Sequence, residues 1–347
     1  AYHSLLPGFG EEARLEALKS HAKASTALAQ VYTNLGLGYE GVDDIDRAIA
    51  AYQRALTFAS DQVKALKRLG AIRYKQGQGK EAAALLNQAQ DIDKSDQGIA
   101  YAAILALQLD GYFTAAIAAC RKALATHPSA ELYNLLGECY EESDAPDPAG
   151  KAYRQSLALD PDYVPAHRGL ARLSSRAGHY QTAFASLEKV IALGKANTHD
   201  YAILGNLYFR TGARSAAETA YSEAIRLDPN HAAAHHDLGV VLRAMERFDD
   251  AALALTRAAE LDPADPENHY KLGSLAMERG QLEKAQQGLA RAIELGTINV
   301  YAYLFLGRLY QERGQTDAAL RLYETILTTQ LSDTDDRIRT QLKIYLE

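Results

Sequence analysis

The residues that could do chemistry in this chain are its histidines, arginines and cysteines. His231, His235 and His236 crowd one stretch, and an i, i+4 pair of histidines can hold a metal on one helix face. A third ligand is missing from the pattern and His231 precedes the helix, so structural roles are expected for these rings. Cys120 and Cys139 lack paired metal spacing and fall where a small apolar residue packs, so buried thiols are expected, with their pairing left open. No serine or cysteine has an accompanying base in a recognisable motif, and no glycine-rich phosphate loop is present. The expectation is no catalytic residue, no cofactor and no metal. Arg168, Arg172 and Arg176 are different: spaced i, i+4, i+8, they share one helix stripe. Three cations so placed repel one another unless an anion or a carboxylate compensates, which suits recognition of an acidic group.

The elements that must position these residues follow a repeat. From Ala232 to Asp265 the chain reads as two short amphipathic helices back to back. Leu238, Gly239 and Leu242 share a face of the first; Ala251, Leu255 and Ala258 share a face of the second. Pro263 ends the second helix, because it lacks an N–H and disfavours α conformation before it. The pattern recurs about every 34 residues, giving nine units: 29–62, 63–96, 97–129, 130–163, 164–197, 198–231, 232–265, 266–299 and 300–333. Every unit has an alanine early in its second helix: Ala48, Ala82, Ala116, Ala149, Ala183, Ala217, Ala251, Ala285 and Ala319. A larger side chain there would push the two crossing helices apart. A Leu-Gly pair marks most first helices, as in Leu35–Gly36, Leu136–Gly137 and Leu306–Gly307. Leu170–Ala171 is a mild variant and Ala103–Ile104 departs from it. The glycine is worth its lost helix propensity if another backbone approaches there.

This pattern resembles the tetratricopeptide repeat (TPR) family, over most of the chain. The resemblance implies an all-α, right-handed superhelical solenoid with the first helix of each unit lining a concave groove. A helix over 11–27 and another over 334–347 would cap the ends, the latter burying Ile338, Leu342 and Tyr345. Residues 1–10, with Pro7, Gly8 and Gly10, read as an extended arm. His235 takes the aromatic core position also filled by Tyr133, Tyr201, Tyr303, His167 and His269. In the turn of unit 130–163, Asp147 suits an N-cap and Pro148 the first helical position.

On the family's geometry the groove positions change character along the chain. Lys64, Lys67 and Arg68 are basic, Tyr101 and Leu105 apolar, and Glu131, Glu138, Glu141 and Glu142 acidic. Beyond them come Arg168, Arg172, Arg176, Asn206, Phe209, Arg210, His236, Arg243, Tyr270 and Phe305, the expected binding residues. The resemblance implies a non-enzymatic scaffold or adaptor holding a protein or peptide segment, here one with acidic groups facing the arginines. Two alternatives remain: a substrate-recognition module of a larger enzyme, and a structural subunit assembling through its convex face or ends. TPR arms of glycosyltransferases carry an asparagine ladder, and here only Asn34 of the corresponding residues is asparagine.

Composition agrees. At 347 residues the chain exceeds a typical single-core domain, which a solenoid resolves because each unit packs on its neighbours. A net charge of −7 disfavours nucleic acid as a general partner. No apolar run approaches a membrane-spanning length. Localisation is not encoded in these features, since the chain starts at Ala1 rather than Met.

Overall fold

In a computed structural model, residues 11–329 are described. Among them there are eighteen helices and no strand. They are α1 (Glu11–Gly41), α2 (Ile45–Phe58), α3 (Val63–Lys75), α4 (Gly79–Ile92), α5 (Gln97–Leu109), α6 (Phe113–Thr126), α7 (Ala130–Glu142), α8 (Pro146–Leu159) and α9 (Val164–Arg176). The second half holds α10 (Tyr180–Ala192), α11 (Thr198–Arg210), α12 (Arg214–Leu227), α13 (Ala232–Ala244), α14 (Phe248–Leu261), α15 (Pro266–Glu278), α16 (Leu282–Glu294), α17 (Val300–Glu312) and α18 (Thr316–Thr329). The chain divides into two compact parts between Leu173 and Ser174, inside α9. The arm at 1–10 and the helix expected over 334–347 lie outside the described residues.

The nine alanines that define the register are all 0% exposed. Four residues further on, each second helix carries its largest crossing residue: Tyr52, Leu86, Cys120, Tyr153, Leu187, Tyr221, Leu255, Leu289 or Tyr323, all buried. These residues explain the glycine of the first helix. A Cβ on Gly36 would lie 2.5 Å from the Tyr52 ring, and one on Gly205 would lie 2.6 Å from that of Tyr221. At Gly273 the backbone N of Leu289 comes as close as its side chain, both at 2.8 Å, whereas a Cβ on Gly239 would meet Leu255 at 2.6 Å and the Ala251 carbonyl only at 3.3 Å. The expected backbone approach exists there, but a side chain sets the limit. Unit 97–129 exchanges the volumes. Ile104 stands in the glycine position and Cys120 in that of the large residue, and both belong to one buried cluster. The departure at Ala103–Ile104 is thus a size swap across one helix crossing, and it accounts for a cysteine at 120.

The caps differ from expectation in two places. The helix over 11–27 does not end before the first unit; it runs on to Gly41, because neither proline nor glycine interrupts it before Gly36. The N-cap of α8 is Ala145, with Pro146 at the first helical position, rather than Asp147 and Pro148. Every second helix must place its crossing alanine three residues after its start, so the repeat's register overrides the better local cap. Elsewhere local chemistry prevails. The Ser129 side chain accepts from the Leu132 N–H at 3.2 Å and starts α7 across the shortened junction. Gly212 turns the chain at φ 83°, and where other units lack glycine, Asp43, Asp144 and Glu246 take the left-handed region at 58°, 54° and 61°.

Candidate protein-binding face

The three histidines serve three separate structural tasks. His231 Nδ1 accepts from the Ala234 N–H at 3.0 Å and caps α13. His235 Nε2 lies 3.0 Å from the Pro229 carbonyl, and His167 and His269 repeat that contact with Pro161 and Pro263 at 2.8 and 3.2 Å. Each ring thus ties its unit to the proline ending the unit before. His236 Nδ1 lies 2.7 Å from Asn268 Oδ1, an acceptor, so Nδ1 carries the proton.

In the second part of the chain, the first helices α13, α15 and α17 form a depression of about 440 Å³. Arg243, Tyr270 and Phe305 line it with Ser274, Met277, Glu278 and Tyr301. Spacing along α17 puts Tyr301 and Phe305 on one face, ring centroids 6.0 Å apart, and leaves Tyr301 55% exposed. Arg243 closes one side: its Nε donates to Glu278 at 2.9 Å, and Nη2 reaches the other carboxylate oxygen. This pairing raises the guanidinium's proton affinity further, against the opposing effect of burial. Tyr270 is buried, with the Lys271 ammonium 5.3 Å from its ring centre.

Towards α11 the face becomes polar. Asn206 is exposed and donates to the Ala202 carbonyl at 3.2 Å. Burial raises the Asp237 carboxyl above the ordinary range, while His236, His231 and Asn206 pull it back. Phe209 packs against the cluster of Tyr221 and Val241. Arg210 is exposed, donates to the Ser175 carbonyl at 3.1 Å and lies over the Tyr180 ring at 5.2 Å.

The arginine stripe is not uniform. Arg172 grips Glu141 with two hydrogen bonds of 2.8 Å, and the Tyr153 hydroxyl donates to the same carboxylate at 2.9 Å. Arg168 is half-buried and Arg176 exposed. Arg243, Tyr270 and Phe305 are therefore the expected residues that share one depression. Met277, Ser274 and Glu278 were not singled out by sequence. A signal for Glu278 exists: it follows Arg243 by 35 residues, close to one repeat. A somewhat shorter reach, of 29 to 31 residues, joins Glu141 to Arg172, Glu218 to Arg247, Asp249 to Arg279 and Glu283 to Arg313.

Family models described as tetratricopeptide repeat match residues 33–97, 101–164 and 204–266, and further models so described match 242–297 and 302–337. The chain belongs to the tetratricopeptide repeat family. Superkiller protein 3 of Schizosaccharomyces pombe is 24% identical over 231 residues, 62% of this chain and only 17% of that protein's length. Among solved structures, the APC/C hetero-tetramer Cut9–Hcn1 aligns with a TM-score of 0.55 at 17% identity, covering 89% of this chain and 60% of the other. PilF of Pseudomonas aeruginosa aligns at 0.54 with 19% identity, covering 63% and 97%. At such identities these likenesses report the TPR fold.

Proposed function

We propose that this TPR chain is a non-catalytic scaffold that holds an extended protein segment along the first helices of its later units. The observation that carries the reading is the aromatic depression of Tyr270, Tyr301 and Phe305, walled by Arg243 and Glu278. Three successive first helices supply it, so a segment crossing them meets an apolar recess and then polar groups that fix its register. Phe305 and Tyr301 would take an apolar side chain. Arg210, His236 and Asn206 would meet acidic or amide groups beside it. Arg172 and Arg243 already have carboxylate partners, which narrows the acid-binding role to Arg210 and weakens it for the stripe as a whole.

The test is selection of peptides from a random displayed library on the 347-residue chain. Enriched peptides should share an apolar residue with an acidic neighbour. Phe305→Ala should weaken them about tenfold, equivalent to roughly 1.4 kcal/mol. Arg210→Glu should weaken them further at low salt than at moderate salt. Unchanged affinity in both variants would place binding elsewhere.

A further inference from the structure

The first helix α7 carries an electrostatic arrangement that the fold leaves incomplete. Asn134 is 4% exposed, and its Nδ2 donates to Glu138 Oε1 at 2.9 Å. The other end of that amide, Oδ1, is buried with no hydrogen-bond partner. Glu138 is half-buried, and no ion pair joins it to a cation among the described residues. Arg172 is near enough to act on it, but both arms of that guanidinium are committed to Glu141 at 2.8 Å. Burial and the neighbouring Glu141 and Glu142 charges hold the Glu138 carboxyl above the ordinary carboxylate range. The surroundings share this negative field. Burial, then Glu138 and Glu131, raises the Tyr101 hydroxyl. The Tyr163 hydroxyl is pushed up to about 12 by burial first, then by Tyr101, Glu131 and Glu138.

A desolvated carboxylate held only by a neutral amide is costly, and glutamine there would keep the shape without the charge. Both groups short of a partner, the Glu138 carboxylate and the Asn134 carbonyl, are acceptors, so what is missing is a compact donor with a positive charge. We propose that this face of α7 binds the ammonium group of a lysine from a partner protein. The ammonium has three donors on a narrow stem, enough for the carboxylate and the carbonyl together, while the half-buried Tyr101 ring offers a surface for the methylenes. A metal ion fits less well, since no group of three or more histidine, cysteine or acidic side chains converges among the described residues. The inference rests on the scaffold reading for the kind of partner, but it uses other residues, in the other compact part of the chain.

The test uses two fluorescein-labelled peptides, Gly-Ala-Leu-Lys-Leu-Ala-Gly amide and its Nε-acetyl-lysine form, titrated into the 347-residue chain. The lysine peptide should bind saturably and at least tenfold more tightly than the acetylated one. Glu138→Gln should remove that preference and melt at a higher temperature than the parent. Glu142→Gln, at an exposed position, should keep the preference within twofold. Equal binding of the two peptides, absence of saturable binding, or an undiminished preference in Glu138→Gln overturns the proposal. Library-selected peptides that bind while the lysine probe fails would overturn this site alone; failure of both would overturn the scaffold reading.

Discussion

Helix α7 and the pair α13–α15 both carry charged side chains on first helices, and they treat them differently. Glu141 on α7 is matched by Arg172 and Tyr153, and its side chain is only 8% exposed. Glu278 on α15 is matched by Arg243 with the same two-armed geometry, but its side chain is 38% exposed. The chemistry is the same and the solvent is not. A charge removed from water depends on its partner, whereas one left in water does not. The pair on α7 acts as a clamp between neighbouring units, and the pair on α13–α15 acts as a wall beside the aromatic depression.

The largest effects should come at the helix crossings, which both halves of the chain share. A Cβ on Gly137 or on Gly205 would come within 2.6 Å of the Tyr153 or Tyr221 ring. Gly137→Ala and Gly205→Ala should each cost about 3 kcal/mol, the upper end for overpacking a core. Denaturant midpoints should fall by similar amounts in both. A large loss in one and none in the other would mean that the crossings are not equivalent.

The charge pairs should then separate the regions. Arg172→Met takes the two-armed donor from Glu141, which is almost out of water, at a cost of about 2 kcal/mol. Arg243→Met leaves Glu278 able to hydrate, and the loss should stay under ~1 kcal/mol. Equal losses in the two variants would erase the distinction drawn from burial.

The smallest effect is a pH dependence on α13. The folded state raises the Asp237 carboxyl, mainly by burial, so it binds the proton more tightly than the unfolded chain does. The stability this contributes is complete below the unfolded value of about 3.9 and is lost as pH rises through the higher folded value. Asp237→Asn has no such loss. Its stability relative to the parent should therefore improve as pH rises from about 4 through the higher folded value, as read from urea midpoints. A constant difference over that range would show that Asp237 is not held out of water.

The repeat was legible because a helix crossing tolerates little. Ala217 and Ala251 read as crossing residues by their spacing, and both are 0% exposed. Ile104 looked like a departure from the pattern and Cys120 like an ordinary small packed residue, since their exchange of volume lies across two helices and not along one. The partner of the arginine stripe was hidden for a related reason. Spacing of i, i+4 predicts neighbours on one helix, but Arg172 finds its partner 31 residues back, on the preceding first helix. Several charge pairs of this fold, Arg172 with Glu141 and Arg243 with Glu278 among them, span about one repeat, a distance that a helical-wheel reading does not inspect.

By itself, the sequence determined the helices, their pairing into units and the residues at each crossing, because those depend on period, proline, glycine and side-chain size. Only the tertiary structure decided which charges are spent. Arg172 and Arg243 are neutralised from neighbouring first helices, Arg210 lies on a tyrosine ring, and Glu138 is left with half an amide. The reason is physical. The energy of a charge depends on burial and on atoms within a few ångströms, and in a stacked repeat those atoms belong to neighbouring units.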